Sequence, residues 1–244
     1  MSVAAATAPI DFSRRSRQLE LMDTEDCGVA EFEACLVDLA KVNRATLAYR
    51  PTFRWLDRLV RERRPTGPLR IVDCGSGYGD MLRKIDLWAE RRGIRVELTG
   101  IDLNPWSRAA ALKATPPGRP IRWITTDLFD YRPDEPVDIV LSSLFTHHLT
   151  DEQVVGFVRW MEATAAVGWF VNDLHRHPLP YYVFRLWSRL AGWHRFVQND
   201  GPISITRAFV PEEWQRLLHQ AGVPKGAAEV ARYMPYRLCV GRRK

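Results

Sequence analysis

The sequence predicts a mixed α/β protein built on a doubly wound parallel sheet. Five short apolar runs alternate with helix-length amphipathic stretches between residues 69 and 172, a glycine-rich turn joins the first run to a helix, and two closely spaced extended runs end the chain. Strands separated by helices pair in parallel, and such a sheet gathers its ligand sites at the strands' carboxyl ends.

The elements follow in order. Phe32, Leu36, Leu39 and Val42 keep helical spacing over residues 31–47, and Pro51 opens a second helix carrying Phe53, Leu56, Leu59 and Val60. The breaker cluster at 64–68 ends this part, so residues 1–64 are expected as an N-terminal helical segment or lid and 65–244 as the main domain. Strands are expected at 69–75, 96–102, 121–127, 137–143 and 167–172. Helices are expected at 80–92, with Met81, Leu82, Ile85 and Trp88 inward, and at 105–113, capped by Asn104 and started by Pro105. A third is opened by the capping box Thr150-Asp151-Glu152-Gln153. Pro211 starts a last helix through Gln220, and runs at 227–233 and 236–240 around Met234-Pro235 form a terminal antiparallel hairpin.

At 244 residues the chain is long enough to bury a core without metal or disulfide support. Its 46% hydrophobic and 26% charged residues exclude collagen-like and disordered classes. The net charge of +6 comes mostly from arginine, and the clusters Arg61, Arg63, Arg64 and Arg91, Arg92 are short, which describes a solvated surface better than a nucleic-acid patch. Cys27, Cys35, Cys74 and Cys239 show no C-x-x-C spacing, so neither a zinc site nor a disulfide framework is expected, and a reducing cytoplasm fits. No apolar run reaches the roughly 18 residues of a membrane span. The start lacks the cationic region of a signal peptide and is expected to be a loose terminus.

The chemistry is concentrated at strand ends. Asp73-Cys74-Gly75-Ser76-Gly77-Tyr78-Gly79-Asp80 joins a strand to a helix, where glycines let a ligand approach the backbone. A dinucleotide fingerprint would need a third glycine at position 80, which is Asp80, poor company for phosphate. Asp102 ends the second strand and Asp127 the third. This order of motifs resembles the class I S-adenosylmethionine-dependent methyltransferases of the small-molecule type, over roughly residues 65–244. The resemblance implies a Rossmann-like seven-stranded sheet and S-adenosyl-L-methionine as cofactor. It implies that Gly75, Ser76, Gly77 and Gly79 pass the methionine part while Asp73 supports their loop. Asp102 would take the ribose hydroxyls, Leu103 would pack on adenine, and Asp127 would accept from its amino group, with Leu128 and Ser142 nearby. A cationic sulfonium and a free ribose suit carboxylates better than phosphate-binding amides.

Ser142-Ser143-Leu144-Phe145-Thr146-His147-His148-Leu149 follows the fourth strand. It partly matches the Leu-His-Asp-Trp-Ser-Asp-Glu segment of small-molecule O-methyltransferases, which places the general base on His147. Many methyltransferases of the class carry His-His-Leu here without base chemistry, so a positioning role stays open. An imidazole with its ordinary pKa of about 6.5 suits taking a phenol proton. After the fifth strand, Asn172, Asp173, His175 and His177 offer a second set, in which Asp173 orients a histidine or His175 contacts substrate, unless both cap a loop. Adjacent Asn172 and Asp173 point apart and the fourth strand ends in serines, so no metal is expected.

The stretch 178–210 carries Tyr181, Tyr182, Phe184, Trp187, Leu190, Trp193 and Phe196, interleaved with Arg185, Arg189 and Arg195. It is either core or an apolar lid over a flat hydrophobic or aromatic acceptor. The expected function is methyl transfer to such an acceptor, O-methylation of a phenol or enol or C-methylation of a quinol-like ring, in secondary metabolism or quinone-type biosynthesis. A nucleic-acid methyltransferase is the first alternative. An amine-methylating one would show [DN]-P-P-[YFW] where Ser-Ser-Leu-Phe stands, and a cytosine-C5 one needs a nucleophilic cysteine where only Cys74 of the glycine loop is at hand. A catalytically silent cofactor-binding subunit is the second, against which the intact glycines and acids stand.

Overall fold

The computed structural model describes residues 10–24, 28–65 and 67–244. Its seven strands form one sheet in the order β3-β2-β1-β4-β5-β7-β6. The strands β1 (Leu69–Cys74), β2 (Val96–Asp102), β3 (Ile121–Thr125), β4 (Val137–Ser143) and β5 (Ala165–Leu174) run parallel, as the alternating pattern predicts. β6 (Glu229–Tyr233) and β7 (Arg237–Arg243) form the expected hairpin, with β7 antiparallel to β5. Strand order reverses beside β1, where Cys74 pairs with Ile101 on one side and Ser142 on the other. Ligands of open α/β sheets bind at that crevice.

One face of the sheet is covered by α3 (Arg50–Arg63), α4 (Asp80–Glu90) and α5 (Pro105–Ala114), through Trp55, Leu56, Leu59, Leu82, Ile85, Trp88 and Ala111. The other is covered by α6 (Asp151–Thr164) and α9 (Pro211–Gln220), through Phe157, Val158, Met161, Trp214 and Leu217. The sequence signals for their starts are realised. Asn104 accepts from the Trp106 N–H at 2.9 Å, and the Thr150–Gln153 box closes at 2.9 and 3.2 Å. Gly100 lets the Trp123 ring cross β2, since a Cβ there would lie 2.4 Å from that ring.

The remaining helices sit over the strands' carboxyl ends. α1 (Leu21–Thr24) and α2 (Val29–Ala45) come from the N-terminal segment; α7 (Pro178–Leu190) and α8 (Arg195–Arg207) come from the aromatic stretch, which is therefore a helix pair. Phe32, Cys35, Leu36, Val42, Ala110, Phe196 and Val197 form a separate small core joining the two sets. Packing of this kind buries surface that neither segment could bury alone.

Two boundaries differ from the sequence reading. β5 continues to Leu174, so Asn172 and Asp173 lie within a strand instead of the loop after it; pairing of Leu174 with Arg237 of β7 extends the ladder past the apolar run. β3 stops at Thr125, and Asp127 lies in the following turn, where its Oδ1 accepts from the Phe129 N–H at 2.8 Å. Cys35, Cys74 and Cys239 are buried, and Cys27 lies outside the described residues, as does the start of the expected loose terminus. Among the described residues no helix is long and apolar enough to cross a membrane.

Candidate functional site

The glycine loop between β1 and α4 is shaped by its neighbours. The Gly75 and Ser76 N–H groups both donate to the Ile101 carbonyl at 3.0 Å, and the Gly77 N–H donates to Asp102 Oδ2 at 2.8 Å. Gly75 and Gly79 take left-handed φ of 69° and 73°, and a Cβ would fall 2.6 Å from the Phe145 ring at the first and 2.2 Å from Trp123 at the second. Side chains are excluded at both positions, which keeps the backbone open to a ligand. Asp80, standing where a dinucleotide loop has glycine, accepts from the Tyr49 hydroxyl and, at 3.4 Å, from Asn43 Nδ2. It thereby clasps α4 to the N-terminal helices.

Asp73 and Asp102 differ in environment. Asp73 is buried with Oδ1 unpartnered among the described residues; burial, with Asp80 and Asp102 nearby, holds its carboxyl well above the usual range. Burial also raises Asp102, although its oxygens accept from the Asn104 and Gly77 N–H groups. Leu103 beside it is 69% exposed, whereas Leu128 is packed in the core and Ser142 donates to the Cys74 carbonyl at 3.2 Å.

A cavity of about 230 Å³ opens from this loop along the ends of β4 and β5. Asp73, Gly75, Ser76, Gly77 and His147 line it, facing apolar walls from α2 (Leu36, Leu39, Val42) and α7–α8 (Phe184, Ile205). Gly79, Asp102, Leu103, Asp127, Leu128, Ser142, Asp173 and His175 do not line it. A shallower depression of about 500 Å³ on the outer side of α2 and α4, lined by Lys41, Arg44, Lys84 and Arg119, lies off the strand ends.

Beyond Ser143 the chain turns sharply through Leu144, whose φ of 56° is unusual outside glycine, into a 3-10 turn at Thr146–His148. That turn is built on Asp173. Thr146 Oγ1 and the His147 N–H donate to Oδ2 at 2.5 and 3.0 Å, while Oδ1 lies 2.7 Å from His147 Nδ1 and accepts from the Leu174 N–H at 2.7 Å. Burial alone would raise the Asp173 carboxyl; His147 and these donors pull it well below the usual range instead. An ionised carboxylate only accepts, so Nδ1 carries a proton and Nε2 is the ring nitrogen that faces away from Asp173. The turn's carbonyls are held from outside. Arg15 and Arg207 each donate to the His147 carbonyl at 3.2 Å, Arg15 also to Leu149 O and Arg207 to His148 O.

His175 sits elsewhere. Its backbone bridges to Phe209, and burial, followed by Arg232 and His177, lowers its pKa, so it is neutral and apart from the cavity. Asn172 points opposite to Asp173, donating to Ala48 O at 2.7 Å and Thr52 Oγ1 at 3.0 Å. Glu20, Tyr49 and Arg237 also line the cavity, and sequence reasoning did not find them; they come from distant segments with no motif around them. Glu20, His147 and His148 are the one trio of metal-ligating types gathered within 4.8 Å among the described residues. Arg207 lies 3.9 Å from the Glu20 carboxylate, Ser204 donates to it at 2.8 Å, and this positive neighbour opposes a cation.

Residues 71–168, from β1 into β5, match a family model described as a methyltransferase domain. No curated protein sequence matches the chain. Among solved structures, the plantazolicin methyltransferase BpumL in complex with SAH superposes with a TM-score of 0.65 at 14% identity, over 88% of this chain and 96% of that one. Human N-acetylserotonin methyltransferase in complex with SAM gives 0.61 at 16%, over 89% and 56%. Magnesium protoporphyrin IX methyltransferase from Synechocystis with bound SAH gives 0.53 at 13%, over 81% and 84%. At these identities the likeness speaks for the fold, and the matched domain speaks for the activity. Residues 71–168 carry a methyltransferase domain, on a fold shared with methyltransferases whose structures hold SAH or SAM.

Proposed function

We propose that the protein methylates a hydroxyl oxygen of a small hydrophobic or aromatic acceptor, with His147 as general base and Asp173 as its positioning residue. The observation that carries this reading is the Asp173–His147 pair at 2.7 Å, whose imidazole lines the same cavity as the glycine loop.

The residues present fit S-adenosylmethionine. The unpartnered Asp73 carboxylate suits its ammonium group, the glycine cradle suits its methionine part, and Asp102, beside exposed Leu103, suits a ribose at the open edge. Asp127 is assigned to the adenine amino group by family resemblance, with Leu128 and Ser142 among the cofactor-binding residues. When bound, the cofactor supplies a methyl on a sulfonium, which passes to the acceptor oxygen as the S–C electron pair returns to sulfur. The chain's own part is orientation in a dry cavity, worth about 7–11 kcal/mol when it is complete. His147 Nε2 takes the hydroxyl proton, worth roughly 10²–10⁴-fold. Asp173 keeps Nδ1–H fixed and faces the imidazolium that results. The apolar walls from α2 and α8 select a flat, apolar acceptor over a nucleic acid.

The test is a screen of phenols, quinols and polyketide-like acids with S-adenosylmethionine, with and without EDTA, using wild type and His147→Ala. Methylation of hydroxyls by wild type alone, indifferent to EDTA, supports the reading; equal turnover by His147→Ala assigns a carbon or an already ionised oxygen as acceptor.

A further inference from the structure

One face of α7 packs inward, and the opposite face is apolar as well. Tyr181 and Ser188 are buried and Phe184 lines the cavity beside Gly201. The other side carries Leu179, Tyr182, Val183, Leu186 and Leu190, which are 51, 55, 53, 62 and 77% exposed. Their spacing places them in one stripe along the helix, bordered by Trp187. A helix apolar on two faces is expected to be covered on both. Here one face is open.

Charge identifies the cover. Arg185 and Arg189 lie one turn apart along one flank of the stripe, both exposed, and neither pairs with an acid among the described residues. No Asp or Glu occurs anywhere from Leu174 to Asn199. A second copy of the chain fits this face poorly, because a two-fold contact along the stripe sets each Arg185–Arg189 row near its own copy with no acid in the segment to separate them. An anionic lipid surface fits it well. Leucines enter the acyl boundary, Tyr182 and Trp187 sit at headgroup level, and arginine stems lie along the apolar stripe with their guanidinium groups on phosphates.

We propose that α7 docks the protein peripherally on a bilayer containing anionic lipid, through the Leu179–Tyr182–Val183–Leu186–Leu190 stripe and its arginine flank. This surface stands apart from the catalytic reading, since none of these residues belongs to the proposed transfer machinery.

Flotation of the full chain with vesicles tests it, using phosphatidylcholine with and without phosphatidylglycerol. Wild type is expected to bind the phosphatidylglycerol vesicles roughly tenfold or more above the neutral ones, and to lose that preference as salt rises. Arg185→Glu with Arg189→Glu should abolish the preference, and Leu186→Glu with Leu190→Glu should abolish binding, with circular dichroism unchanged because all four side chains are exposed. The salt series on wild type gives the same answer without any variant. Equal or absent binding to the two vesicle types overturns the proposal. So does a wild-type dimer in sedimentation velocity that Leu186→Glu with Leu190→Glu converts to monomer while vesicles stay unbound; that result assigns the face to a second copy.

Discussion

Asp173 Oδ1 stands 2.7 Å from His147 Nδ1, and the same carboxylate's Oδ2 accepts from the His147 backbone N–H at 3.0 Å. One side chain of β5 thus fixes both the ring and the main chain of a residue 26 positions earlier, in the turn after β4.

This coupling predicts non-additivity. His147→Ala should cut kcat by roughly 10²–10⁴-fold with cofactor affinity unchanged. Asp173→Asn should lose a comparable factor, and the double variant should be no slower than His147→Ala alone, because the two act as a unit. Multiplying losses in steady-state kinetics would separate their roles.

Acid stability follows from the same carboxylate. Its folded pKa is depressed below the ordinary value of about 3.9, so its contribution is fully present above pH ~4 and is lost as pH falls through the folded value. Asp173→Asn, which takes the charged acceptor from four buried donors, should cost about 1.5–3 kcal/mol at neutral pH in urea melts. The gap to wild type should narrow only below pH ~4. A gap that narrows from neutral pH downward would assign the interaction to another group.

Asp73 gives the opposite sign. Burial and two neighbouring acids raise its carboxyl in the free protein, which favours the protonated form. A bound ammonium group favours the ionised form, so cofactor binding should release a proton and tighten as pH rises. Calorimetry in buffers of different ionisation enthalpy measures this, and Asp73→Asn should remove it. An unchanged proton count in that variant would move the linkage elsewhere.

Much of this was readable in the sequence, for identifiable reasons. The helix starts at Asn104, Thr150 and Pro211 carry local chemistry that tertiary packing had no cause to override, and the glycine loop is local as well. Asp173 was legible as a partner for a histidine, yet its place within β5 was hidden because the ladder past Asn172 is made by β7, far along the chain. His175 shows the converse, a ligand-type residue at a strand end whose ring the fold turns away from the cavity. Glu20, Arg15 and Arg207 were invisible, since each reaches the His147 turn from a segment with no spacing of its own.

Packing makes a prediction just behind the cavity wall. Gly100→Ala puts a Cβ 2.4 Å from the Trp123 ring and 2.9 Å from Ser76 Oγ. Overpacking of this kind costs about 1–3 kcal/mol, readable as a lower urea midpoint. An unshifted midpoint would mean that Trp123 has room to move.

The most direct test of the account is calorimetric titration of the full chain with S-adenosylhomocysteine and, separately, with NADH, repeated on Asp102→Ala. The account predicts saturable binding of S-adenosylhomocysteine only, weakened in Asp102→Ala by about 1.5–3 kcal/mol for lost bonds to a charged acceptor. Tight binding of NADH with none of S-adenosylhomocysteine would contradict it.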